Sequence, residues 1–120
     1  MHAQREVCDL DRRIYLVLRF LGVPVRILGY RYMAEAIRII LTDEDAGYAI
    51  TKRVYMTIAK MYGTTEVQVE SAIRTAIRHV WGFGRCDRVE QIFGYSQNEK
   101  GRPCNSEFLN GVSEYLRYYD

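Results

Sequence analysis

At 120 residues, 48% of them hydrophobic, the chain is long enough to bury one real core and too short for two comfortable domains. A net charge of +2 is uninformative by itself, but three cysteines (Cys8, Cys86, Cys104) without a CxxC spacing and only two histidines (His2, His79) argue against a disulfide framework or a zinc site, and for a reducing compartment. The longest apolar runs are broken by Arg19, Arg26 and Arg38, and no signal-peptide core follows Met1, which points to a soluble cytoplasmic protein with no membrane partner.

The periodicity is helical nearly throughout. In "DLDRRIYLVLRFLGVP", Leu10, Ile14, Val17, Leu18 and Leu21 share a face, Asp9 or Asp11 can cap the start, and Gly22 with Pro24 marks the stop. A second helix carries Tyr30, Met33, Ile37, Ile40 and Leu41 inward, and residues 42–47 read as a polar acidic loop. A third begins near Thr51, whose hydroxyl can cap it, with Ile50, Val54, Ile58, Met61 and Tyr62 inward, and stops at Gly63.

The fourth helix opens on "TEVQ", where Thr65 and Gln68 have the spacing of a capping box. Val69, Ile73, Ala76, Ile77, Val80 and Trp81 then face inward until "GFG" ends it. A short helix over residues 87–93 comes next. The last runs from Ser106, capped by Asn105, with Phe108, Leu109, Val112, Tyr115 and Leu116 buried. The pattern predicts an all-α, six-helix single domain over residues 1–120.

Charge is unevenly spread along it. Residues 1–48 hold seven arginines against seven acids, whereas residues 49–85 hold Lys52, Arg53, Lys60, Arg74, Arg78 and Arg85 against Glu66 and Glu70, a local net of +4; the remainder is net −2. A polyanion should therefore meet the middle of the chain.

That middle contains a helix-turn-helix pattern. Ala59 supplies a small residue where two helices cross, Gly63 tolerates positive φ at the turn, and Val69, Ala72 and Ile73 can anchor the second helix on the first. The spacings from Ala59 to Gly63, Val69 and Ala72 resemble those of bacterial repressor helix-turn-helix units. With the inward face fixed, Gln68, Ser71, Thr75 and Arg78 form one outward row, and Glu70 with Arg74 an adjacent one. Arg reads guanine, Gln adenine, Glu cytosine, and Ser and Thr several partners, so these residues, with Thr65 at the helix start, suit a major groove. Lys52, Arg53 and Lys60 are placed to meet flanking phosphates. The same pattern also suits an ordinary solvated helix, with Glu70 and Arg74 as an intrahelical ion pair worth about a few tenths of a kcal/mol.

"GYRYMAEAI", "ITKRVYMTIAKMYGTTEVQVESAIRTAI", "IFGY" and "NSEF" occur in an order and spacing similar to the effector domain of the sporulation response regulator family, stage-zero sporulation protein A. The likeness runs from about Val23 to Leu116. It implies a compact six-helix domain that binds double-stranded DNA through the fourth helix, 65–81, in the major groove, as tandem self-associated copies on a repeated site. It also implies an RNA polymerase sigma factor as a partner of the segment after that helix.

The departures fall on the reading helix. Where family members typically carry Arg-Val-Glu-Arg-Ala-Ile-Arg-His, this chain reads "QVESAIRT": Gln68 and Ser71 replace arginines and Thr75 a histidine, while Glu70 and Arg74 are retained. The next segment, "FGRCDRVEQ", also differs from the family's usual run. Loss of the two arginines favours an alternative, a protein-interaction module that has kept the fold and lost most DNA affinity. No alternation of strand and helix marks a receiver domain in these residues, which suits either one domain of a longer regulator or a free-standing paralogue.

Other features are better read as structural. Nothing pairs a nucleophile with a base, so no enzyme and no cofactor is expected; Ser106 and Glu107 are explained by capping, and His79 by packing or exposure. The tyrosines of "YLRYYD" read as core and rim, with Tyr118 and Tyr119 as a candidate dimer surface.

Overall fold

The computed structural model describes the backbone at residues 2–43, 45–83, 86–94 and 101–118. Six α-helices occur among them: α1 (His2–Leu21), α2 (Leu28–Thr42), α3 (Met56–Tyr62), α4 (Glu66–Phe83), α5 (Cys86–Phe93) and α6 (Asn105–Tyr118). A 3-10 turn at Ala46–Tyr48 and a wide π-helical stretch at Ile50–Tyr55 lie between α2 and α3. The all-α, six-helix expectation holds.

The apolar stripes read from the sequence supply the core. Ile14, Val17, Leu18 and Leu21 of α1 are buried against α2, whose own Tyr32, Met33, Ala36, Ile37 and Ile40 face the centre. Val69, Ile73, Ala76, Ile77 and Val80 of α4, and Phe108, Leu109, Val112 and Leu116 of α6, complete it. Each fully buried Leu, Ile or Phe contributes about 1.5–3 kcal/mol of transfer free energy, so these stripes fix the helix faces. Trp81 is only partly buried: it meets Phe93 and Phe108 edge-on, at 5.8 and 6.2 Å, and its Nε1 donates to the Gly101 carbonyl at 3.1 Å.

Arginines, rather than polar caps, close several helix ends. An α-helix leaves its last carbonyls without intrahelical partners, and a cation there also complements the helix dipole. Arg88 donates to the Phe20 carbonyl at 3.1 Å with its guanidinium 4.9 Å from the Phe20 ring centre. Arg117 donates to the Ile40 carbonyl at 3.2 Å, and Arg13 to that of Leu116. These three cations serve the fold.

Several boundaries differ from expectation, each for a local reason. Helix α1 starts at His2, because no glycine or proline interrupts residues 2–13. Asp11 is therefore inside the helix, where its carboxylate pairs with Arg38 of α2. Thr51 caps nothing; residues 50–55 form the π-helical stretch after Ala49, with no side-chain cap. That wide stretch shifts the phase of the helix, so Val54, Tyr55, Ile58 and Ala59 turn inward. Met61 is exposed, and Tyr62 stays at the rim, its ring 5.3 Å from that of Tyr32.

Helix α4 runs through Gly82 to Phe83 before the segment at residues 84 and 85, which lies outside the described residues, as does Tyr119. Asn105 is not the cap of α6. The Cys104 backbone N–H donates to Glu107 Oε1 at 3.2 Å and the Cys104 carbonyl accepts from Phe108 N at 3.0 Å, so the cap position is Cys104. This leaves the Asn105 side chain free to reach across to α4.

Candidate nucleic-acid interface

The turn before α4 forms as its residues dictate. Gly63 takes φ +64°, and both its N–H and that of Thr64 donate to the Ala59 carbonyl, closing α3. An added Cβ at Gly63 would meet nothing within 4 Å, so the glycine is needed for its backbone conformation alone. Helix α4 then starts with Thr65 Oγ1 accepting from Gln68 N at 3.2 Å. Only this half of the capping box forms, because the Gln68 side-chain oxygen is taken by the Thr64 hydroxyl.

Close packing fixes where α4 lies. At Gly29 of α2 an added Cβ would collide with the Ala72 carbonyl oxygen and stand 2.9 Å from Ala76 Cβ. The two backbones thus touch without side chains between them. From the other side, Asn105 Nδ2 donates to the Glu70 carbonyl and to the Tyr55 hydroxyl, each at 3.0 Å. Burial pushes the Tyr55 hydroxyl above its ordinary pKa, reinforced by Cys104 and offset in part by the Asn105 bond and Arg74. It stays protonated at neutral pH and accepts the amide.

With its inner face sunk, α4 exposes Gln68, Ser71, Arg74, Thr75 and Arg78. Thr75 donates to the Ser71 carbonyl at 3.0 Å, holding its hydroxyl against the helix. Glu70 is half-buried at the edge of this strip and its carboxylate pairs with the Arg74 guanidinium. Both side chains remain over two-fifths exposed, so the pair is cheap to open, on the order of 0.3–0.5 kcal/mol.

The three flanking cations are distributed differently. Lys60, in the last turn of α3, borders a shallow recess with Thr64, Thr65, Glu66 and Val67 at the start of α4. Lys52 lines a wider groove that also takes in Glu70 and Arg74. Arg53 does not line that groove; its guanidinium is held by Asp43 at 3.0 Å. Lys52 and Lys60 thus flank the reading strip on two sides.

Tertiary structure brings to the site residues that the sequence pattern did not place there. Arg102, Asn105 and Tyr48 share the groove with Lys52 and Arg74, and Tyr48 is 93% exposed. No local signal could have found Arg102, which is 28 positions from Arg74 and reaches it only through the docking of α6. Val67 is different: it stands four before Ser71 on the outward row, so the same geometry pointed to it.

Among the described residues no helix is long and apolar enough to cross a membrane, and no cluster of three or more His, Cys, Asp or Glu could hold a metal. Residues 14–116 match the model of the family described as "Sporulation initiation factor Spo0A C terminal". The chain belongs to that family, the DNA-binding effector domains of a sporulation regulator.

Proposed function

With membership of that family as the premise, we propose that this domain is a cytoplasmic, sporulation-type transcription regulator unit that binds double-stranded DNA sequence-specifically through α4 in the major groove. The observation that carries the reading is the exposed strip Gln68, Ser71, Arg74, Thr75 and Arg78 on a helix held by Gly29 on one side and by Asn105 on another. A rigid mount matters because base-edge hydrogen bonds tolerate little displacement.

In this mechanism no covalent step occurs. Lys52, Arg53 and Lys60 neutralise phosphates, releasing counterions and setting register. Arg53 exchanges Asp43 for a phosphate, and Arg74 leaves Glu70 for a base edge, freeing the Glu70 carboxylate to accept from cytosine. Gln68, Ser71, Thr75 and Arg78 contact adjacent edges, and Thr65 orders the helix start. On family membership alone, the proposal extends to tandem copies on a repeated site and to a sigma-factor contact through the segment after α4.

The test is titration of the domain with duplexes carrying the family's repeat and with random duplexes at two salt concentrations. Affinity that falls steeply with salt, and that differs between the duplexes, is expected. Absence of salt-dependent binding to either duplex overturns the DNA reading and leaves the protein-interaction module.

A further inference from the structure

We propose that Val67 is a specificity-determining residue that reads the 5-methyl group of a thymine; the inference rests on the DNA-binding reading above. Val67 is 75% exposed, in the first turn of α4. It stands at i, with Ser71, Arg74 and Arg78 at i+4, i+7 and i+11, so its isopropyl group occupies the same strip as the polar reading residues.

Folding does not account for a valine there. Its side chain buries little, and a β-branched residue is a poorer helix former than alanine or the straight-chain polar residues. The recess it borders is lined by the polar Lys60, Thr64, Thr65 and Glu66 and, on the α3 side, by Met56 and Ala59, and Val67 stays three-quarters exposed beside them. Recognition does account for it. In helix-turn-helix docking the N-terminal residues of the second helix meet the base edges, and the thymine methyl is the apolar feature of the major-groove edge that an aliphatic side chain can detect.

The geometry also places the base. Val67 and Arg74 are seven residues apart, about 10 Å along the helix axis at 1.5 Å per residue, or about three base-pair steps at 3.4 Å. The thymine read by Val67 therefore lies within about three base pairs of the base contacted by Arg74.

The experiment selects a preferred duplex from a random pool with the whole chain and then replaces each thymine in turn by deoxyuridine, which removes only the methyl. Wild type is expected to lose roughly fourfold in affinity at one thymine, the worth of one buried methyl-sized group, and Val67→Ala to show no loss at that position. Binding that ignores every replacement, or a loss that persists unchanged in Val67→Ala, overturns the assignment while leaving DNA binding intact. Failure to enrich any duplex overturns the DNA reading and this inference together.

Discussion

The side-chain amide of Asn105, at the start of α6, donates to the backbone carbonyl of Glu70 in the second turn of α4 at 3.0 Å. Its second donor goes to the Tyr55 hydroxyl, also at 3.0 Å, so one side chain ties three elements behind the reading helix. Asn105→Ala removes the amide partner of a buried phenol and should lower unfolding free energy by about 1–3 kcal/mol. Combined with Tyr55→Phe, the loss should be smaller than the sum of the single changes, measured by urea denaturation as a double-mutant cycle. Additive losses would show that the two groups are not coupled.

Gly29 tests the close approach of α2 and α4. Gly29→Ala forces a methyl group into the Ala72 carbonyl and Ala76 Cβ, both parts of a packed helix with little room to move. A loss of about 1–3 kcal/mol is expected, the range of overpacked cores, despite the gain in helix propensity. A variant as stable as wild type would mean that the helices are less tightly apposed.

Gly63 separates backbone strain from crowding. Its φ of +64° lies in the left-handed region, yet no atom beyond its chain neighbours lies within 4 Å of an added Cβ. Gly63→Ala should therefore cost about 1–2 kcal/mol from backbone conformation alone, and Gly63→Asn less, because asparagine tolerates that region better. Equal stability of the two variants in chemical denaturation would contradict this account.

Arg74 and Lys60 make different predictions for binding. Arg74→Ala should weaken the preferred duplex by about 1–3 kcal/mol and relax discrimination at one base pair. Lys60→Ala should weaken all duplexes alike and reduce the slope of log affinity against log salt by about 1. Fluorescence-anisotropy titrations across a salt series distinguish them, and an unchanged preference in Arg74→Ala would mean that the reading face has been misplaced.

The apolar period along the chain is enough to say which face of each helix turns inward, and thereby which residues of α4 are left outside. Burying Val69, Ile73, Ala76, Ile77 and Val80 obliges Ser71, Arg74, Thr75 and Arg78 outward, since side-chain direction along a helix is set by a fixed angular period. Gly63 was legible for the same reason: a local backbone requirement leaves a local signal. Other features of the site depend on long-range docking. Asn105 has the composition of a cap, but Glu107 satisfies Cys104 and the Asn105 amide crosses to α4; Arg53 is held by Asp43 across the chain; and Arg102 lines the groove through the docking of α6. Each of these depends on where distant elements come to rest, and a periodic apolar pattern specifies which faces are buried without specifying which neighbours bury them.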